Sequence, residues 1–294
     1  MEQSIILELM TRWDVPIVPT LLLALVAAVY VTGWVRARKS RPIELPRWRA
    51  AAFLSGVVFV FIAISSPLDT LGESFLFMHM AQHFVLMSIA PPLLVLGSPV
   101  VPLLRGMPRA IIRLMGPLFH SQWMHVLSRH SQQTAFAWLA MNIAYVGWHI
   151  PAAYEFALQS EGWHDVEHAC FLFTSVLFWW PVVRPWPSRR MGSPWVLIPY
   201  LASADLVNTG LSAFLCFSGR VVYPSYAEAQ RPILLSALND QIAAGAFMWV
   251  FGSLVFLIPV AAIIVGWLSP RTLSVQNRKV DAESYIERIQ EEAV

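Results

Sequence analysis

The chain has 294 residues, is 57% hydrophobic and only 13% charged, about half the charge of an ordinary soluble domain. Thirteen tryptophans, seventeen phenylalanines and several apolar runs longer than the roughly 18 residues needed to cross a hydrocarbon core exclude a soluble globular enzyme. The net charge of +2 gives no basis for a nucleic-acid partner, and two cysteines give no disulfide framework.

The pattern predicts an all-α, polytopic membrane bundle of seven transmembrane helices, at about 17–35, 48–66, 75–104, 133–150, 164–183, 194–217 and 240–268. The chain then divides into an N-terminal segment 1–16, a transmembrane domain 17–268 and a polar tail 269–294. The first segment has acids and no basic region leading into a cleavable apolar core, so no signal peptide is expected. The third helix contains Pro91 and Pro92 and is expected to kink there, with neighbours or local distortion satisfying the freed carbonyls. Beyond it, "RAIIRLMGPLFHSQWMHVLSR" reads as an interfacial amphipathic stretch and accounts for His120, His125 and His130. A short helix is expected in the tail, around "DAESYIERIQEEA".

Orientation follows from the cations. The segments 36–49, 105–130 and 184–190 and the tail hold six, four, three and four Lys or Arg, seventeen on one side of a seven-span arrangement. The other side has only Arg12, Arg220 and Arg231. Positive charge marks the cytoplasmic side, so the N-terminus is expected outside and the C-terminus in the cytoplasm.

That orientation brings polar groups from four helices to the outer leaflet. His79 and His83 lie at the start of the third helix and His149 at the end of the fourth. His164 and His168 lie at the start of the fifth, and Asp240 at the start of the seventh. "HMAQH" and "HDVEH" both space two imidazoles four residues apart, on one helix face and about 6 Å apart along the axis. A single histidine near an interface is ordinarily solvated or hydrogen-bonded. Two repeated chelating pairs at a shared depth point instead to a metal or cofactor site facing the bundle interior.

Imidazole suits zinc, copper, iron or nickel, and thioethers would select Cu(I). Met87, Met141 and Met248 lie four or eight residues deeper than His83, His149 and Asp240, on the same helix faces. They form a descending set, although methionine also fills cores without ligand duty. Met78 and Met80 flank His79 and are expected to point elsewhere. Cys170 is expected to be helix packing. Asp205, Asn208, Thr209, Ser212 and Cys216 form one polar stripe on the sixth helix, suited either to proton or ion guidance or to tying helices together. Glu73, Asp165 and Glu167 could orient bound imidazoles or simply be solvated. Haem is the competing cofactor, with Gly147 and Gly245 as room for a porphyrin. No His-Glu-x-x-His motif supports a hydrolase, so a metalloenzyme ranks below a metal-binding protein.

Taken as a set, "MHMAQHFVLMSIAPPLLVLGSPV", "GWHIPAAYEFAL", "HDVEHACFLFTSVLFWWPVV" and "NDQIAAGAFMWV" resemble the multi-spanning CtaG family of bacterial cytochrome c oxidase assembly factors, over about residues 66–268. The resemblance implies a multi-pass protein of the bacterial cytoplasmic membrane that is not an enzyme. It further implies oxidase subunits, and an extracytoplasmic copper chaperone, as partners. His79, His83, His149, His164 and His168 then become the expected copper ligands, with Asp240 a ligand or supporting partner. A metal-free scaffold for oxidase subunits is the remaining alternative.

Overall fold

The computed structural model describes residues 13–119, 134–187, 193–229 and 235–268. Within them every regular element is helical. The helices are α1 (Ile17–Arg38), α2 (Arg47–Ser65), α3 (Pro67–Gly72), α4 (Leu76–Phe84), α5 (Ala90–Leu96), α6 (Val100–Gly106) and α7 (Arg109–Phe119). They continue as α8 (Thr134–His149), α9 (Pro151–Leu158), α10 (Glu161–Val183), α11 (Leu197–Phe217), α12 (Pro224–Glu228) and α13 (Ala237–Leu268). A π-helical turn, Val85–Ile89, makes α4 and α5 one continuous stretch.

Six stretches are long and apolar enough to cross a bilayer: α1, α2, α4–α5, α10, α11 and α13. Helix α8, at the expected fourth crossing, has 16 described residues. His120, His125, His130 and the expected tail helix lie outside the described residues. Large apolar side chains point outward along the long helices, among them Ile17, Leu21, Leu206, Ile258 and Val265. A water-soluble protein does not carry apolar surface on this scale, whereas lipid tails accept it at no cost.

The α4–α5 stretch lies centrally, packed against α2, α10 and α13. Its bend has a local cause. The Ala90 N–H bonds back to Val85 O, five residues earlier. Met87 O would accept from residue 91 in an α-helix or 92 in a π-turn, and both are prolines without an N–H. The Trp179 indole fills that vacancy, donating to Met87 O at 3.1 Å. Neighbour and distortion together therefore satisfy the backbone, and the distortion precedes the prolines. The helix also ends sooner than expected, at Leu96 rather than 104. Ser98 adopts a left-handed φ of 51°, and Pro99 caps the start of a separate helix, α6.

Backbone approach fixes α1 against α6. A Cβ on Gly33 would lie 1.7 Å from Pro102 O, and one on Gly106 1.9 Å from Val29 O. Only glycine allows this contact. At one end of the bundle the short helices α3, α9 and α12 fold over the ends of the long ones. Each begins with a proline (Pro67, Pro151, Pro224) at a position that needs no N–H donor.

Candidate metal centre

The start of α4 is set by another helix. Asp240, wholly buried in α13, accepts the Leu76 N–H at 2.7 Å and the Phe77 N–H at 3.2 Å. A carboxylate suits a helix N-terminus because it meets both orphan donors and the positive end of the dipole. Both its oxygens are thereby engaged by backbone two and three residues ahead of His79. Gln82 holds the next turn, donating to Ala63 O at 2.9 Å and Asp69 Oδ1 at 2.7 Å. With these anchors, His79 and His83 face α10.

Five imidazoles form one connected group. Ring centroids are 4.2 Å apart for His79–His83 and 4.1 Å for His164–His168. Between the helices, His79–His164 is 5.2 Å and His83–His168 5.4 Å. His149, on α8, lies 6.0 Å from His83. All are buried except His164, which is partly exposed.

One acid joins them. Glu167 is 1% exposed, and its Oε1 lies 3.8 Å from His83 Nε2, too far for a hydrogen bond. One donor atom from each of His79, His83, His164 and Glu167 lies within 4.8 Å of the other three. Tetrahedral ligands at about 2.0–2.1 Å from an ion stand about 3.4 Å apart, so the widest pair needs up to about 1.4 Å of closure. His79 Nε2, both ring nitrogens of His83, His164 Nε2, His168 Nε2 and both Glu167 oxygens are buried without a hydrogen-bond partner. Seven such atoms in one place is a large deficit, since buried polar atoms are nearly always paired.

Glu167 could have been singled out from sequence. "HDVEH" reads His-x-x-Glu-His, the reverse of the His-Glu-x-x-His order, and also places two imidazoles and a carboxylate on one turn. Asp165 and Glu73 are exposed.

Beneath the imidazoles lies a cavity of about 50 Å³, lined by His83 and His149 and by Met80, Met87, Met141 and Met248. The descending thioethers thus share one space. Met80 does not point elsewhere as expected: its Sδ lies 3.4 Å from His149 Nε2. Its direction relative to His79 said nothing about a ring arriving from α8. Gly245 is closed off, because a Cβ there would meet Cys216 Sγ at 2.8 Å, whereas Gly147 faces open space.

The polar stripe of α11 makes contacts between helices. Asp205 accepts from Ser253 at 2.7 Å, and Asn208 accepts from Tyr145 at 2.9 Å while donating to Met248 O at 3.2 Å. Cys216 Sγ approaches Ile242 O at 3.6 Å, and Cys170 is a half-buried free thiol.

Three tyrosines, in α9, in α12 and just before α12, close the capped end. Tyr154 OH donates to Tyr226 OH, which donates to Gly72 O at 2.7 Å, and Tyr223 OH donates to His149 O at 2.9 Å. Burial pushes all three phenols up, so they remain O–H donors. Burial also raises the Asp69 carboxyl, against the opposing effects of the Gln82 hydrogen bond and His164.

A family model described as "cytochrome c oxidase caa3 assembly factor" matches residues 28–269. An uncharacterized protein of Mycobacterium leprae (strain TN) is 27% identical over 253 residues, covering 81% of this chain and 37% of that protein. Uncharacterized proteins of Mycobacterium bovis and Mycobacterium tuberculosis are each 27% identical over 270 residues, covering 86% of this chain and 39% of theirs. The chain spans well under half the length of these relatives. No solved structure matches.

Proposed function

The chain belongs to the cytochrome c oxidase caa3 assembly factor family, and from that premise we propose that it handles copper for the oxidase. In this reading it is a seven-span protein of the bacterial cytoplasmic membrane, with α8 as the remaining crossing. The charge asymmetry orients it with the N-terminus outside and the C-terminus in the cytoplasm. The capped end with its imidazoles then lies at the outer leaflet. His79, His83, His164 and Glu167 hold the ion, His168 supplements them, and Asp240 holds α4 in position. The cargo passes to oxidase subunits, directly or through an extracytoplasmic copper chaperone.

The observation that carries this reading is the set of seven buried, unpartnered polar atoms. Nitrogen ligands with one carboxylate suit copper or zinc, and a bound cation would engage one atom from each of His79, His83, His164 and Glu167. The small cavity favours an ion over a porphyrin, because about 50 Å³ holds at most a few waters. Elemental analysis of purified wild type beside the H79A/H83A variant tests it. One equivalent less copper per chain in the variant than in wild type is expected; equal copper in both would reject the centre.

A second reading has one specific observation behind it. His-x-x-Glu-His with the acid beside a third imidazole is also the arrangement of a metal-dependent hydrolase, where the ion supplies activated water and Glu167 moves the proton. E167Q separates the two: a hydrolase keeps its metal and loses turnover of a fluorogenic peptide, whereas a cargo site shows no turnover in either form.

A further inference from the structure

His149 stands apart from the four-ligand group, and its surroundings are of another kind. Its Nδ1 lies 2.7 Å from Tyr145 O. A carbonyl only accepts, so Nδ1 carries the proton and Nε2 presents a bare lone pair. That lone pair faces Met80 Sδ at 3.4 Å, and a thioether has no proton to offer. His149 is 3% exposed and Met80 1%, so both are shielded from bulk water. Two acceptors are thus held together with no protein donor between them. Methionine often fills irregular gaps, but gap filling does not require sulfur to meet the one uncovered nitrogen of a ring fixed by its other nitrogen.

A soft cation resolves the contact. Nitrogen and sulfur ligands at about 2.0 and 2.3 Å from a tetrahedral ion lie about 3.5 Å apart, close to the separation found. The cavity directly below adds Met87, Met141 and Met248 as further thioethers. Thioether sulfur selects Cu(I) over divalent ions, which prefer the imidazole and carboxylate group 6.0 Å away across the His83–His149 ring contact.

We propose that His149 Nε2 and Met80 Sδ form a second, separate station for a soft monovalent cation, Cu(I), at the mouth of the methionine-lined cavity. Its defining atoms are not those of the His79–His83–His164–Glu167 group, so it stands or falls independently of the function proposed above. The two stations differ in ligand softness, which gives the molecule an imidazole–carboxylate site towards the tyrosine cap and a sulfur-containing site towards the cavity.

The test is an anaerobic Cu(I) titration of the full chain in detergent, with bicinchoninate as the competing chelator, joined to copper-edge X-ray absorption on selenomethionine-labelled protein. Labelling preserves the fold and marks the thioethers directly. Wild type is expected to take two Cu(I) per chain with a selenium scatterer in the copper shell. M80L should take one and lose most of the selenium signal, with an unchanged thermal melt. H79A/H83A should also take one and keep the signal. Copper with only nitrogen and oxygen neighbours in labelled wild type, or an M80L variant that still binds two ions, overturns the second station. Selenium-ligated copper at one equivalent in wild type and H79A/H83A alike sustains it while removing the histidine centre.

Discussion

Two buried polar clusters lie within a few turns of each other and could hardly be more different. Around Gln241 every polar atom is used: Oε1 accepts from Val222 N at 2.7 Å, and Nε2 is shared among Leu215 O, Ser218 Oγ and Arg220 O within 3.1 Å. Around His83 and Glu167, equally buried, the ligand atoms have no partner. Both clusters cost desolvation, but only the first recovers it within the chain. The first behaves as an internal brace tying α11 and the following loop to α13. The second has no such compensation within the chain. Satisfaction, rather than burial or polarity, separates the structural group from the candidate site.

Substitutions can break this contrast. The largest effect is expected from H79A/H83A. Removing two ligands should abolish ion binding at the centre, measured by elemental analysis. Truncating two buried rings also leaves a cavity, so thermal unfolding should lose about 2–5 kcal/mol per ring at most, and a folded variant that keeps its full ion content would remove both residues from the site. E167Q keeps shape and removes charge. It should weaken the ion in chelator competition by at least the roughly 10–100-fold that follows loss of a group one shell further out.

D240A sits between the classes. It leaves the Leu76 and Phe77 N–H groups without their acceptor, which should cost about 1–3 kcal/mol in thermal or denaturant unfolding. It should also weaken the ion, because the turn carrying His79 loses its anchor. Unchanged affinity in a folded D240A protein would remove Asp240 from the site. The smallest effect on binding is expected from Q241L. It should cost about 1–2 kcal/mol of stability by stranding Val222 N and Leu215 O, and leave ion affinity at the wild-type value. A drop in affinity there would mean that the brace and the site are coupled.

Much of the helical plan was legible along the chain. The expected crossings 17–35, 48–66, 164–183 and 240–268 begin or end within about three residues of α1, α2, α10 and α13. Bilayer thickness and hydropathy act locally, so a run of residues carries its own answer. The third crossing was the least accurate at its end, because the break at Gly97–Ser98–Pro99 depends on a left-handed residue that hydropathy does not register. The capping helices fall between the expected crossings, although Pro151 and Pro224 mark their first turns. Within the centre, the i, i+4 pairs were visible as spacing. The His-x-x-Glu-His order could have chosen Glu167 over Asp165; that Glu167 is buried beside His83 could not be read that way.

By itself the sequence determined the class of protein, the positions of most helices, and that two pairs of imidazoles would each share a helix face. Those properties follow from periodicity and transfer free energy within one segment. Only the tertiary structure decided that Glu167 meets His83, that Met80 meets His149, that Asp240 caps α4, and that Trp179 covers the carbonyl left by two prolines. Each of those contacts joins different helices. It depends on how each helix is rotated about its own axis when the bundle packs, a quantity that no single segment encodes.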